Sequence, residues 1–363
     1  MRLVVCFIAF ALTASGQRHK IEEINSEKPE GKLLQQIMQE NDAGKKTALL
    51  DQFAGDYPKH EGTPWVLEQL QAIYVKDNNS EKVMAAGDRL LALDPDDPEA
   101  AVQCLKAAES KKDGALVMKY AVLASNAARK MGTASEPSQV EYAKGVDRYA
   151  EYALYRAALE SRDPKLTIAL GETLRERNAG GEYADKVAPP LFAAYRMAGD
   201  QGKAVALAEK TAPAGQASED MLLVLVDSYM QQKKEPEKVH QYSAAIVQMM
   251  AQKPKPEAVS DADWTAHKNQ ITGLAHYLNG KAYHNENGHA KADVELRAAL
   301  PLVESNAAIK PEVLYMLALS DFKLEKVQDS ANYFRACAAI KSPYQQLATT
   351  NLARLKTQYT GLK

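Results

Sequence analysis

The feature that most limits what this chain can fold into is its punctuation. From Gly31 onward, clusters of Asp, Asn, Ser, Gly and Pro interrupt it every 12 to 25 residues: NDAG, GDYPKHEG, KDNNS, DPDDP, SKKDG, SRDP, NAGG, AGDQG, APAG, QKKEP, NENG, NAAIKP and KSP. These residues cap and end helices, so each cluster marks a boundary. Between them run segments rich in Ala, Leu, Glu, Lys and Gln, which favour helix, and none sustains the alternation that a strand needs. Links this short turn each helix back along the one before it. At 363 residues the chain is too long for one ordinary core, which leaves two domains or an elongated array. The expectation is an all-α protein of antiparallel helix pairs.

The register sharpens that expectation. In TPWVLEQLQAIYVKDNNSEKVMAAGDRLLALDP, Leu67, Leu70, Gln71 and Tyr74 share one helical face at i, i+3, i+4 and i+7, and Pro95 stops the following helix. Leu222, Leu225, Val226 and Tyr229 repeat the face, with Tyr242 and Ala245 in the partner helix. Leu191 and Tyr195 with Ala204 and Ala208 do so again, and Tyr195 to Tyr229 is a step of 34. In LNGKAYHNENGHAKADVELRAAL, the residues Gly280, Tyr283, Ala292, Leu296 and Ala299 occupy places where two helices must approach closely. Tyr315, Phe322, Ala331, Ala338 and Pro343 recur in the last full pair.

This ladder resembles the tetratricopeptide repeat (TPR), a helix–turn–helix unit of 34 residues. The resemblance implies a right-handed solenoid of antiparallel helix pairs, a TPR-like superhelix, in which small residues let axes approach and rings fill the space between pairs. It covers 60–95, 184–252 and 270–343 best. The middle is irregular: Tyr229 to Tyr283 is a step of 54, and residues 136–178 hold an overlong helix carrying Tyr142, Tyr149, Tyr152 and Tyr155. On this reading the repeats divide into 31–135, 136–252 and 253–363. The fragment LLDQFAGDYPKHE also resembles a helix ending found in TPR proteins of bacterial envelopes.

The first sixteen residues follow a different logic. Met1 and Arg2 form a short positive start, Leu3 to Leu12 an apolar stretch, and Ala14-Ser15-Gly16 a small-residue site before Gln17. This is the layout of a secretory signal peptide, too short to span a bilayer. It predicts a periplasmic or secreted protein cleaved near Gly16/Gln17, with a flexible polar leader over 17–30. Without Arg2 the chain has 44 basic and 47 acidic residues, a balance that argues against nucleic acid. The cysteines left after cleavage, Cys104 and Cys337, fall in Ala-rich helical segments and read as small buried hydrophobes rather than a disulfide.

Motifs that carry catalysis are absent: there is no GxxxxGK[ST], HExxH or GxSxG, and no Cys/His set with zinc spacing. Asp261 and Asp263 read as helix-start carboxylates. His276, His284 and His289 form the nearest approach to a metal cluster, but eight helical residues separate the first two by about 12 Å, so neither metal nor cofactor is expected. Tyr142, Tyr149 and Tyr152 lie near one face, where packing is favoured over a sugar or peptide platform.

In the resembled family, the first helices of successive pairs line a concave groove that binds extended peptides. Carried onto this chain, that face comprises Lys106, Ala193, Asp227, Lys281 and Ser320, flanked by Arg196, Met230, Tyr277 and His284. The function this implies is non-catalytic: an exported scaffold that holds a protein or peptide partner. The alternative is a carbohydrate- or peptidoglycan-binding module using tyrosine platforms, motivated by the 17 tyrosines.

Overall fold

The computed structural model describes residues 18–21, 24–133, 136–359 and 361–362. The expected signal segment lies outside them. Among the described residues there are eighteen α-helices and no strand: α1 (Pro29–Gln39), α2 (Ala43–Asp56), α3 (Thr63–Lys76), α4 (Ser80–Leu93), α5 (Pro98–Ser110), α6 (Gly114–Met131), α7 (Pro137–Glu160), α8 (Pro164–Arg177), α9 (Glu182–Lys186), α10 (Ala188–Met197), α11 (Gln201–Thr211), α12 (Glu219–Gln232), α13 (Pro236–Gln252), α14 (Asp261–Asn285), α15 (His289–Ala299), α16 (Lys310–Lys323), α17 (Val327–Ala338) and α18 (Gln345–Gln358). The chain forms two compact units, one ending at Ala194 and the other starting at Tyr195. The division therefore falls inside α10, within the segment the sequence groups as 136–252.

The turns explain why the helices come in pairs. Six of them share one geometry, in which a residue in the left-handed region lies just past the end of the first helix. These residues are Asn78, Lys112, Gly199, Lys233, Asn287 and Glu325, with φ between 53° and 78°. The next residue's amide then reaches back five positions: Asn79 to Tyr74, Asp113 to Ala108, Asp200 to Tyr195, Lys234 to Tyr229, Gly288 to Tyr283 and Lys326 to Asp321. This is the Schellman closure, which satisfies carbonyls the helix leaves open. At Asn79, Asp113 and Asp200 the same residue caps the following helix, its side chain accepting that helix's first free amides. From Asn78 to Lys112 is 34 residues, and so is Gly199 to Lys233.

Packing within each unit follows from these turns. In the first unit each helix from α1 to α8 packs on the next, and α3, α5, α7 and α9 touch in succession. In the second, α11 to α18 pack consecutively and α12, α14 and α16 touch. Each unit is thus a stack in which the first helices of the pairs form one row and the second helices another. The irregular middle is visible as the 24-residue α7 and the five-residue α9.

Small residues set the closest approaches. Gly87 on α4 sits where a Cβ would fall 2.1 Å from the Cys104 sulfur of α5 and 2.4 Å from Nε2 of Gln71 on α3. The buried Gln71 amide ties these helices together, donating to the carbonyl of Ala100 at 3.1 Å. Gly280 on α14 meets α15 in the same way, with a Cβ position 2.7 Å from Leu296 Cγ. Its facing residue is Leu296, one turn beyond the fully buried Ala292. Cys104 and Cys337 are both unpaired and fully buried, as their Ala-rich surroundings predict.

Candidate partner-binding face

The row of first helices is the natural place to look for a partner surface. In the first unit, α7 presents most of its tyrosines there, and they divide into two kinds. Tyr142 and Tyr149 reach back to α5, donating their hydroxyls to Glu99 at 2.5 Å and to Glu109. Burial pushes both phenols well above their ordinary range, and the adjoining carboxylates add to it. These two tyrosines are packing residues. The clasp recurs in both units: Tyr74 donates to Asp51 at 2.9 Å, Tyr120 to Asp88 at 3.1 Å, Tyr229 to Glu209 at 3.2 Å and Tyr277 to Glu312 at 2.7 Å.

Tyr152 and Tyr155 turn the other way, towards α9. The Tyr155 ring stacks on Tyr183 with centroids 5.5 Å apart, and Tyr152 tilts against the same ring at 5.6 Å. Tyr152 is 38% exposed and Leu159, seven residues on and therefore on the same face, is 50% exposed. Gly145, seven residues before Tyr152, has open space where a side chain would be. The result is an apolar, ring-bearing stripe along α7 and α9. Cations border it: Arg156 approaches the Tyr152 ring and Lys186 the Tyr183 ring at 5.3 Å from its centroid. Arg156 pairs with Glu160, and Arg148 and Lys186 both pair with Glu182, so the border is charged but nearly neutral. Lys106 on α5 is exposed in the same row, as is Ala193 on α10.

In the second unit the residues carried over from the resemblance are only partly brought together. Arg196 on α10 and Asp227 on α12 are exposed, and Met230 is half-buried. The Asp227 carboxylate accepts from Gln231 at 2.7 Å, and its charge acts on the Tyr277 phenol. Tyr277 and Lys281 on α14 converge on Glu312 of α16, Lys281 at 2.8 Å, and the Tyr344 hydroxyl joins them. Burial would raise the Glu312 carboxyl, but these donors outweigh it and hold it below the usual range. That is an internal polar lock rather than an open anchor. Ser320, expected at the partner face, is fully buried, with its hydroxyl 3.0 Å from Nδ1 of His284. Its place on the inner side of α16 removes it from any partner surface. Burial and then the neighbouring His289 hold His284 below the ordinary histidine range, so it is neutral at pH 7.

The histidines do not gather into a metal cluster. His276 is bonded to Glu295 at 2.6 Å, while His284 and His289 meet edge to face. Asp261 and Asp263 open α14 as expected, with the Ser260 side chain accepting from the Asp263 amide. The described residues hold one His–carboxylate group at metal-ligand spacing, His19 with Asp94 and Asp97. It was not legible from the sequence, because 75 residues separate His19 from Asp94.

No family model matches the chain, and no curated protein matches it. Solved structures that align with it include the apo form of the quorum sensor NprR from B. thuringiensis, at 12% identity and a TM-score of 0.31 over 92% of this chain and 81% of that one. The TPR domain of P58(IPK) aligns at 10% identity and a TM-score of 0.29, covering 92% and 99%. Yeast Tom70 does so at 14% and 0.26, covering 92% and 73%. The 34-residue turn spacing and the glycine contacts decide the architecture. It is a TPR-like fold.

The stripe on α7 and α9 was half-visible in the sequence. Tyr152 and Tyr155 stood out, but Leu159 was hidden in an ordinary-looking helix, and Tyr183 lies in a segment whose Gly-Gly reads as a loop. Only the short α9 brings its ring onto α7.

Proposed function

We propose that this protein is an exported, non-catalytic repeat scaffold that holds an extended segment of a protein partner against the first-helix row. The observation that carries the reading is the stripe of Tyr152, Tyr155, Leu159 and Tyr183, which leaves rings and a leucine facing solvent in an otherwise well-buried stack. Exposed aromatic groups beside Arg are the usual anchors of protein interfaces, since they bury much area at low entropic cost. Export is supported by the charge, apolar and small-residue pattern of residues 1–16. Among the described residues, no helix is long and apolar enough to cross a membrane.

A photo-crosslinking residue placed at Gly145 or Leu159 in cells tests the reading. The expected result is a discrete protein adduct that disappears with Tyr152→Ala. The result that overturns it is the absence of a specific adduct combined with saturable glycan binding lost in Tyr152→Ala. That outcome would assign the rings to a sugar. N-terminal sequencing of the chain from an extracytoplasmic fraction should begin at Gln17, and an intact Met1 in that fraction would refute processing.

A further inference from the structure

The segment before α1 ends against the turn joining α4 to α5. There, Nε2 of His19 lies 3.2 Å from a carboxylate oxygen of Asp97 and 3.6 Å from one of Asp94. All three atoms fall within 4.8 Å of one another. Around a cation bound at about 2.0–2.2 Å, neighbouring ligand atoms stand roughly 3 to 3.5 Å apart. His19 is therefore at ligand spacing from both carboxylates.

Three further observations point to a cation. The side chains are sheltered, with His19 13%, Asp94 21% and Asp97 4% exposed. The Glu68 carboxylate of α3 lies in reach of the His19 backbone amide, and its Oε2 is buried with no hydrogen-bond partner. A buried carboxylate oxygen without a donor is costly, and a bound cation would satisfy it. Charge gives the third. With a neutral imidazole, Asp94, Asp97 and Glu68 set three negative charges against the one positive charge of Arg18. The balance is that of a divalent ion.

We propose that His19, Asp94 and Asp97, completed by Glu68, bind a divalent cation of the zinc class and so fasten the segment before α1 to the α4–α5 turn. One imidazole with three carboxylates is a borderline-hard donor set, suited to Zn²⁺ or Mn²⁺ rather than to a thiolate-seeking metal. Each ligand is already positioned by another bond. Asp97 caps α5, accepting from the Ala100 amide at 3.0 Å with its other oxygen. Asp94 takes the Arg18 guanidinium in a two-pronged contact at 2.6 and 3.1 Å. On cation entry the imidazole gives up the proton it shares with Asp97, and Arg18 stays on Asp94 as an outer partner that orients it.

The test uses the full chain with a histidine-free tag, stripped with chelator and titrated calorimetrically with ZnCl₂. His19→Gln and Asp94→Asn are compared with the half-exposed control His267→Gln, and circular dichroism checks that all are folded. Expected is one saturable site, weakened at least tenfold in the first two variants and unchanged in the control. Zn²⁺ should also raise the unfolding midpoint of wild type and control only. No saturable binding in wild type, or equal affinity in His19→Gln, overturns the proposal.

Discussion

Replacing Gly280 by alanine adds a single carbon at the point where α14 and α15 meet. That carbon would lie 2.7 Å from Leu296 Cγ, 2.8 Å from Cδ2 and 3.2 Å from the Leu296 backbone nitrogen. Comfortable contact between carbons is about 3.5–4.0 Å, so the shortfall is near 1 Å. Rotating the leucine relieves only part of it, because the backbone nitrogen faces the same point and Leu296 is fully buried. Overpacking of this kind costs about 1–3 kcal/mol, while alanine in place of glycine in a helix interior returns about 1 kcal/mol. The expected net change is a loss of about 1 kcal/mol. Gly145→Ala on α7 isolates the propensity alone, since nothing lies within 4 Å of its Cβ position, and it should gain about 1 kcal/mol.

The decisive comparison is a double-mutant cycle. Leu296→Ala costs about 2–5 kcal/mol by itself, but in that background Gly280→Ala should become stabilising. The coupling should be about 2 kcal/mol, within the range of contacting pairs. The assay is urea unfolding followed by tryptophan fluorescence. Trp65 lies in the first unit and Trp264 in the second, so replacing one by Phe lets the other report its own unit. If Gly280→Ala stabilises equally with and without Leu296, the helix-contact reasoning is wrong.

Other perturbations separate packing from binding. Glu312→Gln should cost about 1–3 kcal/mol at pH 7, the usual range for hydrogen bonds to a charged group. Because the folded carboxyl titrates below its unfolded value, its stabilisation is present above about pH 4.3 and is lost as pH falls through the depressed folded value. The variant's acid-unfolding curve should therefore be flatter than wild type in that window; a parallel curve would contradict the assignment. Tyr149→Phe should cost about 0.5–1.5 kcal/mol in urea unfolding through the lost bond to Glu109 and leave partner crosslinking intact. Tyr152→Ala should do the reverse, and exchanged phenotypes would refute the division of the stripe. Burial pushes the Cys104 thiol up to about 12 and Cys337 to about 11. At pH 8 a disulfide reagent should label the native chain at least about a hundredfold more slowly than the urea-unfolded one. Rapid native labelling would show that these helices open.

How much of this was legible in the sequence follows from the range over which each signal acts. Helix pairing is local: Asn78 and Lys112 close their turns with neighbours five residues away, so composition and spacing reveal them. Gly280 announced a close contact by its size, but not that Leu296 was the residue opposite. The face carried over from the resemblance placed Tyr277 and Lys281 correctly in one row. It failed at Ser320, where the inward or outward sense of a helix position depends on the pitch of α14 against α16. The polar lock on Glu312 draws on α14, α16 and the residue before α18, and the His19 group on α3, the α4–α5 turn and the N-terminal segment. Such groups are set by tertiary geometry, and no run of residues encodes them.

The left-handed turn residues have a consequence for how the molecule opens. Five of the six carry a full side chain where glycine would sit at ease, a conformation that costs about 1 kcal/mol apiece. That cost is confined to the hairpin that bears it. Each helical hairpin thus has its own threshold for coming apart, adjustable by one residue without disturbing the hairpins beside it. In a stack held together by neighbour contacts, unzipping can then start at the weakest loop and halt at the next strong one.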